Sequence, residues 1–286
     1  MKTHIITHRG LEPLKPNFYF ESSREAFADE LSRGYGLEFD VQFTADGGMI
    51  AMHDSDLKRI SDGADVRAVK DIATDELLAM DFNGCHLATV GSTLSMIDSV
   101  NAEAISALHL KAAWQSENHM NILLDEVKKH DLSRFFVFDV MPGPARFLKK
   151  HLPEISIGVS LSHPYDITRY KEVTGGTLLS LDEARELQDV VDWAWLDEWD
   201  RTDEGGADKT FYNKEVFGAC RDLGLNIALV MPEMHLSSPG ILGGEAHQDA
   251  RDSETLTARI KEILELKPDA VCTDRPDEVR ALAESL

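Results

Sequence analysis

Residues 35–54, YGLEFDVQFTADGGMIAMHD, put Glu38 and Asp40 two positions apart inside an apolar run and close on the pair His53-Asp54. An unpaired charge in a buried strand costs several kcal/mol or neutralises itself, so these groups must be paired with something or bind something. Residues i and i+2 of a strand share a face, so Glu38 and Asp40 project the same way. Two carboxylates held together on one face repel unless a cation lies between them, and on this ground they read as metal ligands. Asp46-Gly47-Gly48 reads as a tight turn, which makes Met49–His53 a small extra strand folding back.

Outward from this stretch, short runs rich in Val, Ile and Phe alternate with segments of helical period. Strands are expected at Thr3–His8, Leu37–Phe43, Ile105–Lys111, Phe135–Val140, Ile155–Leu161, Trp193–Trp199, Asn226–Met231 and Ala270–Thr273. Most are continuous apolar runs, as parallel strands covered on both faces require. Helices are expected at Ser22–Ser32, Glu117–Lys129, Pro144–Lys150, Asn213–Leu223 and Glu254–Leu266, the first opened by a capping box of Ser22 with Glu25. Eight strands alternating with helices predict an α/β fold, a single (β/α)8 TIM barrel spanning 1–286. A doubly wound sheet is the alternative, but no Gly-rich loop follows the first strand. The connection Pro232–Ser253, after the seventh strand, is too long for an ordinary βα loop.

Composition narrows the function. Of 286 residues 43% are hydrophobic and 28% charged, which is globular and argues against disorder. The formal net charge of −22 repels phosphate backbones and anionic lipid surfaces, which speaks against nucleic acid as a partner. It leaves room for a small anionic substrate, because a metal can invert the potential inside a pocket. No apolar run approaches the roughly 20 residues that span a bilayer. The start, MKTHIITHRG, lacks the features of a secretory signal, so a cytoplasmic protein is expected. Cys85, Cys220 and Cys272 are isolated, suggesting neither disulfides nor a thiolate metal site.

Barrel active sites collect where strands end at their C-terminal side. His8 closes the first strand, Glu38 and Asp40 lie on the second, and His109 and Lys111 end the third. In order along the chain come HRG (8–10), ESSREAF (21–27), GLEFDVQFTADG (36–47), HDSDLKRISDG (53–63), STLSMIDSV (92–100) and VCTDRPDEV (271–279). This series resembles the glycerophosphodiester phosphodiesterase family of metal-dependent TIM barrels, densely over the first 111 residues, thinly in the middle and again at the C-terminus.

The resemblance implies that His8 and His53 are the general acid and base, that Glu38 and Asp40 hold a metal, and that Arg9 and Lys111 contact the phosphate. It implies hydrolysis of a small phosphodiester, such as a glycerophosphodiester, in lipid metabolism, with attack by water or by the neighbouring glycerol hydroxyl. The chemistry agrees: a phosphodiester needs charge neutralised, a nucleophile deprotonated and an alkoxide protonated. Alternatives are a non-catalytic barrel that binds a phosphorylated ligand, or a hydrolase of other bonds.

Three departures from the family pattern bear on the site. LHLK places His109 where the family carries a glutamate, its third metal ligand. With His109 as ligand, one divalent ion is expected (Mg²⁺, Ca²⁺, Mn²⁺ or Zn²⁺). The softer nitrogen shifts preference from hard ions toward Mn²⁺ or Zn²⁺ and makes affinity fall as pH drops through about 6.5. ALVMPEMH replaces an aromatic segment after the seventh strand and offers Glu233 and His235; Pro232–Ser253 is expected to cover the mouth. FESS keeps Glu21 but not the family's proline and asparagine, so Glu21 is a candidate for the site or for the first helix N-terminus. His4 is expected at the barrel bottom. Trp193, Trp195 and Trp199 read as packing, with Asp197 able to reach the mouth, while Glu245 and His247 read as solvated.

Overall fold

The computed structural model describes residues 2–100, 104–232 and 252–286. All eight expected strands form: β1 (His4–His8), β2 (Gly36–Phe43), and, after two short strands β3 (Met49–Ala51) and β4 (Ala88–Thr89), β5 (Ser106–His109), β6 (Phe135–Phe138), β7 (Gly158–Ser162), β8 (Trp193–Asp197), β9 (Asn226–Val230) and β10 (Ala270–Thr273). β1 pairs in parallel with β2 on one side and β10 on the other, and the parallel order runs on through β9 and β8 to β7. From β2 it runs through β5 to β6. β6 meets β7 through a parallel bridge of Val137 with Ile157 and the Val137 N–H donating to Ser156 O at 3.0 Å. The ring therefore closes as a (β/α)8 barrel. Closure removes the sheet edges that an open arrangement would leave unpaired.

Helices α1 (Arg24–Ser32), α2 (Thr74–Leu78), α3 (Val90–Ser99), α4 (Glu117–Val127), α5 (Pro142–His151), α6 (Pro164–Arg169), α7 (Lys171–Thr174), α8 (Leu181–Arg185), α9 (Lys214–Asp222), α10 (Ser253–Glu265) and α11 (Pro276–Ser285), with short 3₁₀ turns at Val69–Asp71 and Ala112–Trp114, complete the described elements. α5 begins two residues earlier than expected, because Pro142 sits in the first turn, where a missing N–H costs nothing. The expected Ser22–Glu25 capping box is not formed. Ser22 has φ of 53°, and its N–H donates to Arg9 O at 2.7 Å. Ser23 has the extended backbone that a cap needs, and its Oγ accepts the Ala26 N–H. Glu25 accepts the His86 N–H at 2.8 Å instead.

Alternation along each strand separates two apolar layers. Phe27, Leu31, Leu37 and Phe39 join residues of α4 and α10 in the core between strands and helices. Inside the barrel lie Ile6, Ala107, Phe136, Phe138, Trp193, Trp195, Ala228, Ala270 and Cys272. Trp193 stacks on Phe136 with ring centres 4.4 Å apart, and Trp195 on Phe138 at 3.9 Å, so these tryptophans are packing, as expected. They fill the lower barrel and leave only the strand ends for polar groups.

The turn at 46–48 also forms: Gly47 has φ of 81° and the Thr44 N–H donates to Gly48 O. β3 runs back against β2, and Ile50, Met52, Leu57, Val69, Ile72, Leu77 and Leu87 form a separate small core beneath this excursion. That core anchors the segment carrying His53 over the barrel mouth.

Candidate active site

Glu38 and Asp40 point into the barrel from β2, and Asp40 stands in register with His109 on β5. One donor atom from each of Glu38, Asp40 and His109 falls within 4.8 Å of the others. His109 Nδ1 lies 2.8 Å from Asp40 Oδ1 and 3.9 Å from Glu38 Oε1. Its Nε2 lies 3.2 Å from Asp139 Oδ2, and its ring stacks on Phe138 at 4.7 Å. Glu38 Oε2 and Asp40 Oδ2 are buried without a hydrogen-bond partner.

Burial and the neighbouring Asp40 push the Glu38 carboxyl up. Burial also opposes the Asp40 carboxylate, but Lys111, His53, Arg9 and His109 hold it well below the usual range. Burial opposes an imidazolium at His109 too; hydrogen bonds to Asp139 and Asp40 outweigh it and push this group up to about 9. Oxygen-rich donors with buried, unsatisfied lone pairs suit a divalent cation, so these three residues fit a metal.

HRG folds as it does because of backbone geometry. Arg9 and Gly10 both adopt left-handed conformations, with φ of 55° and 66°. A Cβ on Gly10 would approach Ala26 Cβ to 3.0 Å, so α1 packs directly against the glycine. This turn buries the Arg9 side chain next to the carboxylates, with Nε 3.3 Å from Asp40 Oδ2 and Nη1 lacking a hydrogen-bond partner. Lys111 donates to His53 O at 2.7 Å and lies 3.2 Å from Asp40 Oδ1.

Both candidate histidines pair through Nδ1 with a carboxylate. His8 Nδ1 is 3.0 Å from Asp274 Oδ1, just beyond β10. His53 Nδ1 is 2.6 Å from Asp54 Oδ1. Burial and the Arg9 charge hold His53 down at about 4. Burial opposes the Asp54 carboxylate, but His53 and Arg59 hold it down at about 2. Arg59 Nε donates to Asp54 Oδ2 at 2.7 Å, and its two terminal nitrogens grip Glu21 at 2.9 and 2.6 Å. Glu21 thus pairs with the arginine behind His53, two residues before the Ser23 that caps α1.

Sequence reasoning missed Asp139 and Asp274 as site residues. Each ends an apolar strand run, FFVFD and AVCTD, and a polar residue closing such a run at a barrel's C-terminal side was the available signal. Asp197 does reach the mouth: burial and the Asp139 charge push its carboxyl up to about 8. Glu198 is spent on structure, paired with Arg259 at 2.6 Å and accepting the Phe211 and Tyr212 N–H groups. His4 opens β1 at the end away from the site. Glu233, His235, Glu245, His247 and most of Pro232–Ser253 lie outside the described residues.

Two carboxylate-paired histidines, a carboxylate cluster, Arg9 and Lys111 thus gather at the mouth of a TIM barrel, and the protein is a phosphoric diester hydrolase. A model of the Glycerophosphoryl diester phosphodiesterase family matches residues 8–186, and the chain belongs to this family. The chain is 27% identical over 173 residues to a glycerophosphodiester phosphodiesterase of Caldanaerobacter subterraneus subsp. tengcongensis, a match covering 56% of this chain and 67% of that protein. Its fold is similar to that of a Parabacteroides distasonis glycerophosphoryl diester phosphodiesterase (TM-score 0.65, 17% identity, 99% of this chain and 87% of that one). It is also similar to an Oleispira antarctica phosphodiesterase solved with the product sn-glycerol-3-phosphate (TM-score 0.63, 14% identity, 99% and 97% covered). Among the described residues no helix is long and apolar enough to cross a membrane.

Proposed function

We propose that the chain, as one barrel domain over 1–286, hydrolyses glycerophosphodiesters or related small phosphodiesters to an alcohol and glycerol phosphate, with one divalent metal ion held by Glu38, Asp40 and His109. The observation that carries the metal is the convergence of one donor atom each from Glu38, Asp40 and His109 within 4.8 Å, in a buried cluster where Glu38 Oε2 and Asp40 Oδ2 have no hydrogen bond. When bound, such an ion supplies charge neutralisation for the non-bridging phosphate oxygens. The product-bound Oleispira phosphodiesterase supports glycerol phosphate as the group recognised.

The chain's own residues account for the rest. Arg9, charged and with an unbonded buried Nη1, binds a phosphate oxygen, and Lys111, two residues beyond β5, binds another. As the nucleophile's oxygen bonds to phosphorus, its proton passes to His53, which is neutral around pH 7 and fixed by Asp54 with Nε2 free to face the substrate. The bond from phosphorus to the leaving oxygen breaks as that oxygen takes a proton from His8, oriented by Asp274. Glu21 acts through Arg59 and Asp54 to hold His53, and Glu233 and His235 remain candidates for contacts to the departing alcohol.

A metal-free variant of this chemistry is favoured by one observation: Asp40 already faces Arg9, Lys111 and His109. Chelation decides between them. With glycerophosphocholine as substrate, removal of metal should abolish turnover and readdition restore it; full activity after exhaustive chelation assigns the charge neutralisation to the three side-chain cations. His8→Ala and His53→Ala should each lower kcat by about 10² or more. Wild-type rates from either variant overturn the assigned role.

A further inference from the structure

Asp139 lies one residue beyond β6, outside every motif noted in the sequence, yet it bonds the one imidazole in the carboxylate cluster. Its backbone is unusual: φ is 64°, in the left-handed region that non-glycine residues enter only at a cost. Gln115 keeps it there. Gln115 Nε2 donates to Asp139 O and to Leu110 O, both at 2.7 Å, and its Oε1 accepts the Met141 N–H at 2.8 Å. This buried amide has its hydrogen bonds satisfied and stitches the end of β5, where His109 sits, to the turn carrying Asp139. The left-handed turn swings the Asp139 carboxylate back over the barrel mouth. The His109 ring is thereby fixed on three sides, by Phe138 against its face, Asp139 at Nε2 and the two β2 carboxylates toward Nδ1.

We infer that Asp139 is a positioning residue for metal binding, acting through His109. By accepting the Nε2–H, it selects the tautomer whose Nδ1 lone pair faces Glu38 and Asp40. Nδ1 stands 2.8 Å from Asp40 Oδ1 and 3.9 Å from Glu38 Oε1, inside the cluster whose donor atoms converge within 4.8 Å. A carboxylate behind a ligating histidine fixes ring and tautomer and raises ligand basicity, and losing one costs about 10–100-fold in affinity. This rests on the proposed metal reading, and its test separates the two.

Mn²⁺ alone is titrated calorimetrically into metal-free protein. Asp139→Gly removes the carboxylate while suiting the left-handed backbone, and should weaken Mn²⁺ about 10–100-fold. Asp139→Asn keeps an acceptor oxygen and should recover most of that loss. In a His109→Glu background, Asp139→Gly should change nothing. Imidazole ¹⁵N shifts of the wild type loaded with diamagnetic Zn²⁺ should place the proton of His109 on Nε2. Wild type that binds no Mn²⁺ overturns the metal reading, and this inference with it. Wild type and Asp139→Gly binding equally, equal losses in Gly and Asn variants, a loss that persists beside His109→Glu, or the proton on Nδ1 overturns the positioning role alone.

Discussion

His53 Nδ1 lies 2.6 Å from Asp54 Oδ1, and the other oxygen of that carboxylate is held by Arg59, which Glu21 clamps in turn. His53 is thus the end of a chain of charge-assisted bonds reaching back to the segment before α1. Each link restrains the next, so damage at Glu21 should be felt at His53 without any change at Arg9 or Lys111.

Arg59→Met should therefore lower kcat by up to about 10²-fold while KM changes little, because a small misplacement of a proton-transfer group costs that much. Glu21→Gln, which keeps one acceptor, should fall between this variant and wild type. Steady-state kinetics on a glycerophosphodiester read both. A rise in KM with unchanged kcat would instead place Arg59 in substrate binding.

Gly10 combines φ of 66° with a Cβ position 3.0 Å from Ala26 Cβ. Gly10→Ala should cost about 2–4 kcal/mol, adding backbone strain to overpacking against α1. The urea midpoint should fall with an unchanged slope. Because His8 and Arg9 are the residues just before it, activity at temperatures where the variant stays folded should fall as well. A variant as stable as wild type would mean the turn relaxes freely.

Asp197 should make stability depend on pH. Its folded carboxyl is pushed up to about 8 by burial and Asp139, above its unfolded value near 3.8. Between these values the folded state holds the extra proton, so stability is greatest below about 4 from this group and is lost as pH rises through 8. The slope in that window reaches about 1.4 kcal/mol per pH unit. Asp197→Asn should flatten it, giving a variant no less stable at pH 6 and more stable at pH 9. Denaturant melts across pH 5–9 test this, and parallel curves for the two proteins refute it.

His109→Glu should move the preferred metal toward Mg²⁺ or Ca²⁺, since a hard carboxylate replaces the nitrogen donor. Activity after chelation and readdition of each ion, on both proteins, gives the answer. In the wild type, hydrogen bonds to Asp139 and Asp40 push His109 up to about 9, not the ordinary 6.5 assumed from its residue type. An unchanged order of metals would show that His109 is not a ligand.

The barrel was legible in the chain because parallel strands buried on both faces must be apolar throughout, and eight such runs recur with helical periods between them. HRG, the Glu38–Asp40 spacing and His53-Asp54 were legible for the complementary reason: a charge or a special turn inside an apolar run has no packing rationale, so it stands out. The capping of α1 was misread because the choice between Ser22 and Ser23 turns on backbone conformation, and Ser22 is drawn into the left-handed region by its bond to Arg9 O. What pairs with what was decided only by tertiary structure. Asp274 meets His8 because the barrel closes β10 onto β1, and Asp139 meets His109 because β5 and β6 run side by side. Glu21 meets Arg59 across a folded excursion with its own core. Hydrogen bonds and ion pairs act over a few ångströms, whereas a single chain's local pattern carries no record of which distant residue the fold brings within that range.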